Sequence, residues 1–442
     1  MENFISLLRT PDFVLGATEN SPFRFEEKAE WQSCSIKYDY QVQSDSAKIT
    51  VYPSGSPVRF LKLRFNGDCL FVDKVYGDQI ERAGDTYYLE WRSVMPHRMM
   101  AWYFIVKGKD CYKGYGVKTG ADCFAYWQID ARGITLFLNL CNGNNGTNLQ
   151  APLLACEVVE YAGKVGENAY SVHKNLCKKM CDCPVLPKSP IFGVNNWYWA
   201  YGNISKDGVL KETDYLMEMT DGVKNRPSMI IDDGWQLNRS FAPHNYIGGP
   251  WEANSQFKDM ALTASLIKEK GASDADVIGC NTIGHLCAGI HSISRTGNDT
   301  SGRSFEWTRR FGVHSMMRLP QNETFFLVDP DCAAFTERVD SKLNLDYLEA
   351  CAITGMTTLA SVTPHSLTKD ELKQINRIYK IADENKLRFT IDNYDKTANP
   401  DTFISPDGKI KKLTIGIEHT TVLEYCLTGL IKTKIPASCG NF

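Results

Sequence analysis

Two adjacent carboxylates, Asp232 and Asp233, follow the apolar residues Met229, Ile230 and Ile231 and precede Gly234 and Trp235. The apolar triplet after Pro227 predicts a short buried strand, and the glycine predicts the turn that ends it. Both carboxylates then stand at the strand's carboxyl end, the edge at which parallel α/β folds bind ligands. A carboxylate pair accepts hydrogen bonds from neighbouring hydroxyls, and a large aromatic ring offers a flat apolar wall. Together they suit a sugar. The same residues also suit a plainer role, a strand-end aspartate capping the next helix with a turn glycine behind it.

A second stretch, 191–202, reads Ile-Phe-Gly-Val-Asn-Asn-Trp-Tyr-Trp-Ala-Tyr-Gly. Trp197, Tyr198, Trp199 and Tyr201 crowd within five positions. One strand face cannot bury that many rings, so one or two of them should line a cavity. The stretches 191–202 and 228–235 together resemble the first two barrel strands of α-galactosidase-type glycoside hydrolases, family 36 and its clan of melibiases and raffinose-processing enzymes. The resemblance implies that Asp232 and Asp233 grip galactose hydroxyls, with Trp197 and Trp199 beside the sugar. It also implies roles for three further motifs. Arg295-Thr296-Gly297-Asn298-Asp299 matches the segment that carries the acid/base, so Asp299 would protonate the leaving oxygen and Arg295 would contact substrate. Gly279-Cys280-Asn281 matches the fifth-strand region, where Cys280 and Asn281 would reach the sugar ring. Asp329-Pro330-Asp331-Cys332 resembles a late strand-end motif, with both aspartates expected to be structural. His285 is expected to be a satisfied core or surface histidine.

Retaining glycoside hydrolysis needs a second carboxyl group, the nucleophile, about 5–5.5 Å from the acid. In the family that group is an aspartate on the fourth strand. Asp233 and Val277 are about 44 positions apart, and a helix predicted over 257–270 takes about a third of them, whereas each βα unit needs about 30 residues. Two further units do not fit. Asp259, Asp274 and Asp276 fall in the gap, but none follows a strand-like run. The third and fourth strands therefore have no counterpart, and no nucleophile is found.

Around these motifs the chain changes character. Alternating β-branched and aromatic residues at 47–52, 58–65 and 133–140, punctuated by glycines, predict an N-terminal antiparallel β-sandwich over 1–170. Gly77-Asp78, Glu81-Arg82 and Trp102-Tyr103-Phe104 resemble the family's β-domain, with Ile80 where an aromatic is expected. A linker over 171–190 includes a helix at 170–180. From 191 to 400, strands alternate with helices, predicting an incomplete (β/α) barrel of the TIM type. Its later strands fall at 277–281, 289–295, 325–329 and 355–362, with a helix at 368–383. Residues 401–442 form a partial extension with a strand at 409–417.

The net charge of −3 gives no reason to expect nucleic acid or an anionic membrane as partner. No stretch approaches the roughly 18–20 apolar residues of a membrane helix, and no basic-then-apolar leader opens the sequence. Fifteen scattered cysteines predict reduced thiols and a cytoplasmic location. Cys177, Cys181 and Cys183 lack a fourth ligand at metal spacing, so neither metal nor cofactor is expected. The resemblance implies a retaining α-galactosidase acting on raffinose- or melibiose-type substrates, with activity limited by the missing strand. Two alternatives are a non-catalytic sugar-binding or internally deleted relative, and a galactosyl transferase of the raffinose-synthase kind. Exposed edges of an incomplete barrel also invite self-association into a homo-oligomer.

Overall fold

Ten short strands in the first part of the chain follow from that alternation: β1 (Phe13–Thr18), β2 (Tyr38–Val42), β3 (Ser46–Val51), β4 (Val58–Asn66), β5 (Lys74–Asp78), β6 (Met100–Lys107), β7 (Tyr112–Val117), β8 (Phe124–Asp130), β9 (Gly133–Asn139) and β10 (Leu153–Ala162). They are seen in a computed structural model that describes residues 4–18, 36–80, 82, 89–141, 143, 145–235, 276–280 and 282–416. Hydrogen bonding joins all ten into one antiparallel sheet in the order β1-β4-β9-β8-β6-β7-β10-β3-β2, with β5 on β6. In β8, Ala125, Trp127 and Ile129 are buried while the residues between them are half-exposed, the period of two that a half-covered strand requires.

The sheet is continuous because β6 changes partner along its length. Met100 and Ala101 pair with β8, whereas Tyr103 to Lys107 pair with β7. Trp102 stands between them with a left-handed backbone (φ 65°). A strand that crosses from one neighbour to another in this way makes a corner. The helix Ala169–Met180 packs on β7 and β10. Leu176 fills the space over Gly114, where a Cβ would come within 2.8 Å of its Cδ2, so glycine is what lets helix and sheet approach.

The second part is parallel. β11 (Phe192–Asn195), β12 (Ser228–Ile230), β16 (Ala333–Phe335) and β17 (Thr358–Val362) form a four-stranded sheet in the order β12-β11-β17-β16. β13 (Ile278–Gly279), β14 (Ile293–Arg295) and β15 (Leu327–Asp329) form a three-stranded one. The two meet where β15 runs into β16 through Pro330, Asp331 and Cys332, with Asp331 left-handed at φ 76°. Thr357 N donates to Val328 O at 3.0 Å across that junction. The helices Lys206–Met219, Ser341–Thr354 and Lys369–Glu384 accompany these strands. The last is capped by Thr368 and Glu371, which exchange side-chain-to-backbone hydrogen bonds, and its Tyr379 hydroxyl donates to Gly193 O of β11 at 2.6 Å.

The predicted strands at 277–281, 289–295, 325–329 and 355–362 are all present but shorter, as β13, β14, β15 and β17. The strand predicted at 409–417 is Ile410–Lys412, in a small antiparallel sheet with Thr402–Ile404 and Thr390–Ile391. The aromatic stretch after β11 is one helical turn, Trp197–Ala200, closed by left-handed Tyr201 (φ 46°). The helix predicted over 257–270, together with Asp259 and Asp274, lies outside the described residues.

Sheet and parallel strands meet at a buried polar seam. Asp78, at the end of β5, accepts from Arg318 Nε at 2.9 Å, Gln321 Nε2 at 2.8 Å and Tyr103 OH at 2.7 Å. Met317 O accepts from the Tyr76 and Tyr394 hydroxyls at 3.0 and 2.6 Å. No helix among the described residues is long and apolar enough to cross a membrane.

Candidate functional site

Asp232 and Asp233 stand just past the end of β12, before Gly234 turns the chain. Its φ is +113°, and an added Cβ would strike the Gly202 backbone. Asp232 is held from three sides. Asn195 Nδ2, at the end of β11, donates to its Oδ2 at 2.9 Å. Its own N–H donates to Asn196 Oδ1 at 3.0 Å, and Asp233 N–H donates to its Oδ1 at 2.8 Å. Burial pushes the Asp232 carboxyl above its ordinary value, and these donors, with the Arg295 charge, pull it only part of the way back. Asp233 is half-buried beside it.

At the end of β14, Arg295 is buried among carboxylates. One Nη lies 2.8 Å from Asp331 Oδ1, and Nε lies 3.6 Å from Asp329 Oδ2. Asp331 also accepts from Tyr198 OH at 2.7 Å and from the Thr300 N–H and hydroxyl at 2.8 and 3.0 Å. Burial acts to raise the Asp331 carboxyl, but Arg295, Tyr198 and the backbone donors outweigh it and hold the group below its ordinary value. Asp329 accepts from Thr357 Oγ1 at 2.7 Å. Burial dominates there, and its carboxyl is raised despite Arg295. One arginine thus serves two buried aspartates unequally, and it fixes the junction of β15 and β16.

Asp299 follows in the loop after β14, with its side chain 57% exposed. Its Oδ1 lies 3.3 Å from Arg82 Nη1 and 3.5 Å from Arg295 Nη1. Arg82 comes from the antiparallel part and also donates to Gly297 O at 2.9 Å. Cys280, at the end of β13, is exposed at the same edge. Asn281 lies outside the described residues. Asp276 accepts from Ser292 Oγ at 2.9 Å; both precede their strands, which puts Asp276 at the amino end, away from this edge.

The aromatic turn splits. Trp197 packs with Tyr201, ring centroids 5.7 Å apart, in the cluster inside the parallel strands. Trp199 turns to a different cluster with Ile204, Val209, Met229, Ile231 and Trp235, and its Nε1 donates to Glu212 Oε1 at 2.9 Å. His285 is buried and stacked on Trp102 at 4.6 Å. It is a core histidine, and burial lowers it to about 4, against smaller opposing effects of Asp78 and the Lys118 and Val117 backbone, keeping it neutral.

The structure therefore brings Asp232, Asp233, Cys280, Arg295 and Asp299 to one edge. Sequence reasoning passed over Asn195 and Arg82. The signal for Asn195 was its place at the strand end directly before the aromatic run. Arg82 had only a local motif, and its contact spans 217 positions. Among the described residues, no three His, Cys, Asp or Glu side chains converge as a metal site.

No protein-family model matches the chain, and no curated protein matches it. Solved structures similar to it include GH36 α-galactosidases at low identity. The α-galactosidase of Thermus thermophilus, solved with stachyose, is 11% identical over 78% of this chain and 96% of its own, with a TM-score of 0.47. The α-galactosidase AgaA of Geobacillus stearothermophilus, solved with 1-deoxygalactonojirimycin, is 12% identical over 84% and 71%, with a TM-score of 0.45. That of Lactobacillus brevis is 10% identical over 84% and 69%, with a TM-score of 0.49. At such identity and overlap, no residue role passes from those proteins to this one.

Proposed function

We propose that the carboxyl edge of the parallel strands is a glycoside site of the α-galactosidase type. In this reading the seven parallel strands belong to an incomplete TIM-type barrel over 191–400, preceded by a sandwich-like β-domain over 1–170. The observation that carries it is the pairing at one edge of a tethered carboxylate, Asp232, with an open one, Asp299, across the buried Arg295–Asp331 pair. Asp232 and Asp233 accept hydroxyls of a terminal α-galactoside. Charge-assisted hydrogen bonds of this kind contribute about 1.5–3 kcal/mol each. Asp299, open to solvent, is the acid/base. Trp197 and Cys280 complete the wall.

Hydrolysis by this chain is weak in the same reading, because the spacing between Asp233 and Val277 leaves no strand for a nucleophile. General acid assistance alone contributes about 10²–10⁴-fold, short of the roughly 10⁶-fold at which enzymatic acceleration typically begins. A timed assay of the purified chain on an aryl α-galactoside should show turnover several decades below a normal rate, falling further in Asp299→Ala. Calorimetry should show weak galactose binding that the double variant Asp232→Asn/Asp233→Asn loses. Robust turnover that survives Asp299→Ala would remove Asp299 from the chemistry, and equal galactose affinity in the double variant would remove the carboxylate pair from the site.

A further inference from the structure

Glu212 lies on the helix Lys206–Met219, which starts at Ser205, whose hydroxyl accepts from Gly208 N at 3.2 Å. The segment Lys206-Asp207-Gly208-Val209-Leu210-Lys211-Glu212 is polar enough to suggest an exposed glutamate, yet the residue is fully buried. Its Oε1 accepts from Trp199 Nε1 at 2.9 Å, and its Oε2 has no hydrogen-bond partner among the described residues. Among the described residues, no cation offsets its burial. Among the described residues, a titratable group within its electrostatic reach is Tyr379, on the helix Lys369–Glu384, itself bonded to Gly193 O. Trp199 in turn packs on the Ile204–Val209 cluster that Ile231 and Trp235 share, and these two bracket Asp232, Asp233 and Gly234.

We propose that Glu212 is a positioning residue for the sugar site, a neutral carboxylic acid that fixes the Trp199 indole and, through it, both flanks of the Asp232–Asp233 pair. The proposal rests on the reading of this edge as a galactoside site. A neutral acid fits the place because an ionised carboxylate with one neutral donor would leave a buried charge unpaired. Burial raises the group to about 8, only partly offset by the indole N–H, so the acid is protonated through the neutral range. Above about pH 8 it ionises; the indole N–H still donates to it, but the buried charge has one neutral donor to offset it and loosens the packing that holds Trp199.

Two signatures separate this role from simple packing. The folded group titrates at about 8 against an ordinary 4.5, so its stabilising contribution is complete below 4.5, is lost progressively as pH rises to 8, and changes no further above that. The melting temperature of E212Q, which keeps the acceptor and cannot ionise, should therefore exceed that of the wild type by a margin that opens between those limits and then holds. Galactose affinity, measured by calorimetry, should fall in the wild type as pH passes 8 and stay flat in E212Q. At pH 7 E212Q should bind within about twofold of wild type, and E212A several-fold more weakly. A margin that never opens would overturn the neutral-acid state. Full galactose affinity in E212A would overturn the positioning role. If no form binds galactose, the sugar reading falls and takes the role with it, while the melting series still reports whether the buried acid is neutral.

Discussion

Asp78, at the seam between the antiparallel sheet and the parallel strands, takes hydrogen bonds from Arg318, Gln321 and Tyr103; Glu212, on the helix Lys206–Met219, has among the described residues the Trp199 indole alone. Both are buried acids, and the two regions treat burial in opposite ways. The seam supplies its carboxylate with a cation and several donors. The flank supplies one neutral donor, so the proton stays on. The site edge mixes the two modes: Asp331 has Arg295, Tyr198 and the backbone N–H groups, whereas Asp232 has amide donors and a more distant arginine. A charge held by matched partners cements the two halves of the molecule, and an acid with few partners can respond to pH and to a ligand.

The largest expected effect comes from breaking the seam. Arg318→Met leaves Asp78 buried without its cation, and removing one partner of a buried pair costs about 3–5 kcal/mol. Chemical denaturation should show that loss, and adding Asp78→Asn should recover part of it. A loss below about 1 kcal/mol would mean that the seam is not a matched charge pair in the sense drawn here. Asp331→Asn should have a smaller effect that depends on pH. The native carboxyl lies below its ordinary 3.8, so its contribution is present above that value and is lost as pH falls through the native pKa. Melting curves of the wild type should decline more steeply than those of the variant in that acid range. Parallel curves would show that the Arg295 and Tyr198 contacts do not discriminate between the charged and neutral forms.

How far the sequence could anticipate this contrast depends on the range of each contact. The ends of β12 and β14 were readable because they are local: an apolar triplet followed by Asp-Asp-Gly, and an arginine four residues before an aspartate. Helices with strong end signals, such as Lys369–Glu384 behind Thr368 and Glu371, appear where their capping box places them. The strands came out shorter than read because apolar runs extend past the hydrogen-bonded register, as at 355–362 against Thr358–Val362. The seam was illegible for a different reason: Asp78 and Arg318 are 240 positions apart, and no local pattern ties an aspartate at one strand end to an arginine in the distant 3-10 helix Met316–Gln321. Glu212 was missed because the residues around it carry the charges of a solvated helix face, and its burial follows from how the turn at Trp199 packs. The partner change of β6 at Trp102 likewise follows from tertiary pairing, since a tryptophan does not ordinarily mark a left-handed corner.

The smallest expected effect tests the site edge itself. Asn195 donates to Asp232 Oδ2 at 2.9 Å while its own Oδ1 accepts from Trp197 N at 2.7 Å, so one amide ties the carboxylate to the start of the aromatic turn. Asn195→Ala removes both bonds at a buried position, a loss of about 0.5–1.5 kcal/mol for each net hydrogen bond. Its second consequence is electrostatic. The Asn195 donor opposes the upward push of burial on Asp232, so without it the carboxyl should titrate higher. If the ionised form accepts the sugar hydroxyls, galactose affinity falls as pH drops through that value, and the midpoint of the fall should move to higher pH in the variant. Titrations across the acid range on wild type and Asn195→Ala would read the shift directly. An unchanged midpoint with a uniform drop in affinity would make Asn195 a tether without electrostatic influence, placing Asp232 among the matched carboxylates of the seam and erasing the difference between the two regions at this edge.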